Sequence, residues 1–228
     1  MPKRRREFNP NSFYHCILRG NNRRYIFETP RDMRELMRAF DYTYDLVPFR
    51  MLAFCFMTNH YHVLIRAEAG DISKIMRLVN RRYSDVYRHS RGHVGRIYQR
   101  RYWAKEVPSI LDLLHTSGYI HRNPIETSVP MVTQLEDYPY SSFPYYAETR
   151  NDPPRFLDVD LLPKMMPFPY PHTRLGYCQF VLQNRFLADE DPHEVVDEKM
   201  DLLYEKGGFL WRGRVMQGAA EGERDDLE

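Results

Sequence analysis

The chain has 228 residues, 43% of them hydrophobic and 28% charged, enough to bury one catalytic core with a small extension. No apolar stretch is long enough to span a bilayer, and the opening Met-Pro-Lys-Arg-Arg-Arg is followed by no apolar run, so neither a membrane helix nor a secretory signal is expected. The net charge is +2, and three scattered cysteines, Cys16, Cys55 and Cys178, suit neither a disulfide framework nor a zinc knuckle, which leaves a reducing, cytoplasmic setting as the expectation.

In chain order, residues 12–19 (SFYHCILR) are aromatic and β-branched enough for a strand. Residues 31–45 carry Met33, Leu36, Met37 and Phe40 at amphipathic-helix spacing. Two apolar runs, 49–57 and 61–67, are separated by Thr58-Asn59 and read as a hairpin. Residues 71–89 predict a second helix with Ile72, Ile75, Met76, Val79, Tyr83 and Val86 along one side. A strand over 97–107 follows, then a helix from the N-cap Ser109 to about Arg122, stopped by Asn123-Pro124. Ile110, Leu113 and Leu114 are expected to face the sheet. This βαββαβ order plus a helix predicts an α+β, ferredoxin-like (RRM-like) antiparallel sheet with helices on one face, the other face being left for a ligand or another layer. Beyond Pro124 the chain becomes Pro-rich, as expected of an irregular strap. Some helical character returns over 173–204, and the acidic end is expected to be disordered. The expected division is a catalytic domain over 1–150 and a C-terminal extension over 151–228.

Charge is distributed unevenly. From Arg77 to Lys105 nine basic residues face Asp85 alone, whereas Glu221, Glu223, Asp225, Asp226 and Glu228 crowd the end. Arg81, Arg82, Arg96, Arg100 and Arg101 are interleaved with rings, including Tyr102 and Trp103. Guanidinium groups hold phosphates and flat rings stack on unpaired bases, so this stretch predicts a single-stranded nucleic-acid surface. The competing reading is a solvated basic face whose arginines pack over aromatics.

In Asn59-His60-Tyr61-His62, strand geometry sends His60 and His62 to the same face, where two imidazoles could share an ion. Such a pair is common by chance. On the 109–122 helix, Tyr119 shares a side with Asp112, His115, Thr116 and Asn123 rather than with the leucines. A tyrosine among polar groups can be a nucleophile toward phosphorus, although a half-buried structural ring is the commoner case. Asn123 could offer a neutral oxygen ligand or simply cap the helix.

Four segments in order, FCFMTNHYHVLI, GRIYQRRYW, GYIHRNPIE and DYPYSS, resemble the single-tyrosine HUH transposases, and above all the REP-associated tyrosine transposases (RAYT). YHCILRGNNRRYIF is similar to that family's opening strand and turn, and the resemblance spans residues 8–147. It implies a nuclease and strand transferase that cuts single-stranded DNA beside hairpins through a 5′-phosphotyrosine intermediate. His60 and His62 then form the HUH pair, Asn123 is the third ligand of Mg2+ or Mn2+, and Tyr119 is the nucleophile. One phosphoester replaces another, so no nucleotide cofactor is expected. His115 and His121 lie near Tyr119 in sequence, but neither is assigned as its proton acceptor. Two other classes compete: a non-catalytic single-stranded nucleic-acid-binding module, and a metal-dependent phosphoesterase in which Tyr119 is structural. Monomer and homodimer are both open.

Overall fold

The computed structural model describes residues 6–67 and 71–186; the expected helical character past 186 and the acidic, disordered end lie outside the described residues. Four strands take up the apolar runs of the first half: β1 (Phe13–Arg19), β2 (Arg50–Phe56), β3 (His60–Arg66) and β4 (Trp103–Val107). They form one sheet in the order β2-β3-β1-β4 with every pair antiparallel. The expected hairpin joins β2 to β3, closed by the Met57 N–H donating to the His60 carbonyl at 2.8 Å. The fourth strand is shorter than its sequence suggests. Tyr98 bridges Gly20, but the consecutive exposed Arg100 and Arg101 break the in–out alternation, and pairing with β1 resumes only at Trp103.

Helices α1 (Pro30–Leu46) and α2 (Ile72–Arg91) pack against each other. A capping box starts α1: the Asp32 N–H donates to Thr29 Oγ1, and the Thr29 N–H donates to Asp32 Oδ2. The same carboxylate, nearly buried, receives both Nη atoms of Arg91 at 3.0 and 2.7 Å, so one charge pair ties the start of α1 to the end of α2. Strand alternation then sorts β3. Tyr61 faces these helices, donating to Asn80 Oδ1 at 2.6 Å and meeting the Phe40 ring at 5.9 Å. His60 and His62 therefore point to the opposite face.

That opposite face is covered by α3 (Ile110–Arg122), which packs on β2, β3 and β4. The two helices expected on one face lie there, and α3 supplies the further layer on the other, so not every helix is on one face. Ser109 is the N-cap, accepting the Asp112 N–H. Leu113 and Leu114 are buried as expected, but Ile110 is 53% exposed, because the first residue of the helix escapes the buried stripe of later turns.

The Pro-rich strap runs along the free edge of β2 and contains α4 (Phe143–Tyr146) and α5 (Leu161–Lys164), followed by α6 (Arg174–Gln183). The Phe56 N–H donates to the Tyr140 carbonyl and the Ser142 N–H to the Phe54 carbonyl, each at 2.9 Å. Further along, the Met51 N–H donates to the Phe156 carbonyl, and the Asp158 N–H returns to the Met51 carbonyl. Tyr138 and Tyr146 add hydroxyl bonds to the Phe56 and Leu52 carbonyls, each at 2.7 Å. An irregular segment thereby satisfies the edge-strand groups that would otherwise pair with another chain. Among the described residues no helix is long and apolar enough to cross a membrane.

Candidate active site

On β3 the His60 and His62 rings stand 4.8 Å apart at 77°. His62 is fully buried, and its Nδ1 lies 3.0 Å from Nε2 of His15, on the neighbouring strand β1. Its other nitrogen, Nε2, is buried without a hydrogen-bond partner. His60 Nδ1 meets Asn59 Oδ1 at 2.5 Å; a carboxamide oxygen only accepts, so His60 carries its hydrogen on Nδ1 and its lone pair on Nε2. Burial lowers the His60 pKa to about 4. Burial also pushes His62 well below the usual imidazole range, with the neighbouring His60 and His15 adding to the effect. Both rings are therefore neutral near pH 7, the form that binds metal ions.

Tyr119 arrives from α3. Its half-buried ring packs edge-on against His62 at 5.5 Å and against His15 at 6.0 Å. Three separate elements, β1, β3 and α3, thus bring His15, the histidine pair and Tyr119 together. Asn123 follows one turn later and donates its amide Nδ2 to the Tyr119 carbonyl at 2.9 Å. Among the described residues no three His, Cys, Asp or Glu side chains gather into a metal site. Two neutral imidazoles with an orphaned Nε2 fit a divalent ion only if oxygen donors, such as the neutral Asn123 carboxamide oxygen or the anionic oxygens of a phosphate, complete its shell.

The sequence model of the family described as "Transposase IS200 like" matches residues 9–123, just over half of the chain, from the approach to β1 through Asn123. The chain belongs to the IS200-like transposase family. It is 26% identical over 157 residues to a Haemophilus influenzae protein named as a candidate REP-associated tyrosine transposase, covering 63% of this chain and 86% of that one. It also shares a fold with a solved REP-associated tyrosine transposase bound to a REP hairpin, at a TM-score of 0.55 and 22% identity over 74% of this chain and 96% of that one.

In this chain the helix bearing Tyr119 is fastened from behind. His121 is fully buried, its Nε2 2.6 Å from Ser142 Oγ and its Nδ1 2.9 Å from Tyr177 Oη, and burial lowers its pKa to about 3. Both its ring nitrogens are engaged in anchoring α3 to the strap and α6. Gly118 lets the Phe186 ring lie against the helix, since a Cβ there would fall 2.5 Å from two ring carbons. The Arg122 guanidinium reaches the Val181 carbonyl at 3.1 Å. His115 is exposed and packs against Phe186 at 5.7 Å.

The basic and aromatic residues do not form one patch. Arg81 and Arg82 are exposed on α2, on the side of the sheet away from the histidines; Arg81 lies 3.8 Å from Asp85, and Arg82 covers the Tyr42 ring at 4.0 Å. Arg96 lines a cavity with Asn21, Asn22, Arg24 and His93. Arg100 and Arg101 are exposed ahead of β4. Tyr102 is 8% exposed, its hydroxyl 3.0 Å from Ser73 Oγ and its ring beneath the Arg6 guanidinium, so it offers no open face for a base. Trp103 is half-buried and edge-on to His15 at 5.7 Å, which places it beside the candidate site. Sequence reasoning passed over His15, as well as Arg19 and Lys105, which share its sheet face by register. Alternation along YHCILR puts His15 and Arg19 on one face, but local sequence does not say that β1 lies beside β3.

Proposed function

We propose that this chain is a metal-dependent, single-strand-specific DNA endonuclease and strand transferase acting beside DNA hairpins, with Tyr119 as nucleophile and His60, His62 and Asn123 as ligands of Mg2+ or Mn2+. The observation that carries the reading is the packing of Tyr119 against His62, whose buried Nε2 has no partner. The hairpin bound to the solved relative and the name of the Haemophilus relative support hairpin DNA as the partner. The βαββαβ order with β1 between β3 and β4 supports the ferredoxin-like assignment. Three free, buried cysteines suit the reducing cytoplasm.

In the proposed reaction Tyr119 Oη bonds to phosphorus while the P–O3′ bond breaks in line. The 3′ oxygen departs and takes up a proton, the tyrosine hydroxyl gives one up, and the 5′ end stays on the protein as a phosphotyrosine. Attack by a 3′-hydroxyl of another strand reverses the exchange and joins the strands, with no nucleotide cofactor. Held by His60, His62 and Asn123, a divalent ion would supply Lewis-acid stabilisation of the charge that builds on the phosphate. The protein's own contribution is placement: a strand holds the histidines, and a helix fixed through His121 holds the tyrosine.

The test is to incubate the protein with 3′-labelled single-stranded hairpin DNAs and Mn2+, then separate the products under denaturing conditions. Wild type should carry label as a covalent adduct, and Tyr119→Phe should bind DNA equally but trap none. An adduct formed by the Phe variant would remove Tyr119 from its role. DNA binding with no adduct from either protein would favour a non-catalytic binding module.

A further inference from the structure

His62 packs against three rings, those of His60, Tyr119 and His15, and the contact with His15 decides which of its nitrogens can serve an ion. His15 Nε2 and His62 Nδ1 are 3.0 Å apart, and one hydrogen lies between them. If His15 donated it, the hydrogen of a neutral His62 would sit on Nε2, where it is buried with no acceptor. A buried N–H without an acceptor keeps the full cost of its lost hydration. If His62 donates it from Nδ1, the hydrogen is bonded and a lone pair remains on Nε2. His60 reaches the same state independently, because Asn59 Oδ1 takes its Nδ1 hydrogen at 2.5 Å. Two different neighbours thus set both histidines to present Nε2.

We propose that His15 is a positioning residue for the metal centre: its Nε2 accepts the His62 Nδ1 hydrogen and so fixes His62 in the tautomer and orientation whose Nε2 lone pair serves the ion. The inference rests on the HUH reading of His60 and His62 and extends it to a second layer. Register makes the contact rigid. His62 pairs with Ile17 and His15 with Leu64, so the two histidines are diagonal neighbours on one face of adjacent strands. Their rings are near-parallel, at 27° with centroids 5.2 Å apart, and His15 is fully buried with Trp103 edge-on at 5.7 Å. A hydrogen-bond partner on the far nitrogen of a metal-binding imidazole orients the ring and raises its basicity.

Two measurements on the full chain test this. The first needs no substitution: long-range 15N–1H correlation spectra of histidine-labelled, metal-free protein report which His62 nitrogen carries hydrogen. Protonated Nδ1 is expected; protonated Nε2 overturns the proposal. The second measures Mn2+ binding by paramagnetic resonance in the absence of DNA. His15→Leu should weaken binding by about ten- to a hundredfold. His15→Gln, whose Oε1 can accept from His62 Nδ1, should restore most of that affinity. Equal weakening by Leu and Gln would mean that only packing matters, and wild-type affinity in the Leu variant would mean that the contact does nothing; either result ends the proposal. His62→Ala separates the two levels. If it weakens Mn2+ binding while His15→Leu does not, the ligand assignment stands and only His15 falls. If His62→Ala binds Mn2+ like wild type, the ligand reading fails and takes the positioning role with it.

Discussion

Replacing His121 with Phe tests how the helix that bears Tyr119 is held, through the pH dependence of stability. In the folded protein burial lowers the His121 pKa to about 3, whereas an unfolded histidine titrates near 6.5. The folded state therefore resists a proton that the unfolded state accepts. The stability associated with neutral His121 is fully present above pH 6.5 and is lost as the pH falls from there toward 3. The limiting slope is about 1.4 kcal/mol per pH unit, which amounts to about 2 kcal/mol between pH 7.5 and 5 for this group. At pH 7.5 the Phe variant should itself be less stable by about 1–3 kcal/mol, because the Tyr177 hydroxyl loses the partner at 2.9 Å. Ser142 Oγ still accepts the Phe54 N–H, which limits the damage. The gap between wild type and variant should then shrink by about 2 kcal/mol on going to pH 5. Urea unfolding followed by circular dichroism at several pH values measures both curves. Since His60 and His62 titrate in wild type and variant alike, the difference isolates His121. Curves that stay parallel from pH 7.5 to 5 would refute a buried, neutral His121.

Chelation and His62→Ala should each abolish adduct formation with little loss of DNA affinity, and Asn123→Ala should weaken it less, because water can replace a neutral ligand; adduct formation by His62→Ala in chelator would defeat the assignment. Replacing Arg100 and Arg101 together should flatten the plot of log affinity against log salt by about two if each neutralises one phosphate, and an unchanged slope would return them to solvated surface. Hairpin DNA with unpaired flanks should outcompete duplex of equal length, a preference that equal binding would disprove. Gly118→Ala should lower stability by about 1–3 kcal/mol, because its Cβ would fall 2.5 Å from Phe186 ring carbons; an unshifted melting temperature would show that the ring yields freely.

The elements were legible wherever a single period dominates. The α2 pattern from Ile72 to Tyr83 and the strand alternation of β3 each name their buried face without help from the rest of the chain. Two features depend on distant partners and were not. β4 looks longer in sequence because rings and arginines crowd residues 98–103 just ahead of it, and what ends its pairing is a bend at Arg100-Arg101 that no local pattern marks. Tyr102 and Trp103 looked alike as stacking rings, yet alternation sends Tyr102 under Arg6 and toward Ser73 while Trp103 turns to His15. The strap offers a third case. DYPYSS reads as a motif, and its groups are occupied in closing the β2 edge: Tyr138 donates to the Phe56 carbonyl, the Tyr140 carbonyl accepts from Phe56, and Ser142 bonds both polar groups of Phe54.

The same edge closure bears on chemistry. Ser142, which pairs with the backbone of β2, is also the residue that holds His121 Nε2, and His121 lies two residues after Tyr119. β2 pairs with β3, and in that register Cys55 sits opposite His62. The helix that bears Tyr119 and the histidine pair are therefore fixed to neighbouring strands of one sheet through a short chain of bonds. A displacement of about 1 Å between attacking group and target can cost a hundredfold in rate, so such a frame has a use beyond stability. Residues after the family-matched stretch contribute to it: Tyr177 closes on His121, Phe186 on Gly118, and the Val181 carbonyl on Arg122. The spacing between Tyr119 and His62 is thus set in part by residues that carry none of the recognisable motifs. Substitutions at Tyr177 should accordingly reach Tyr119 through His121 and leave the Asn59–His60 contact unchanged.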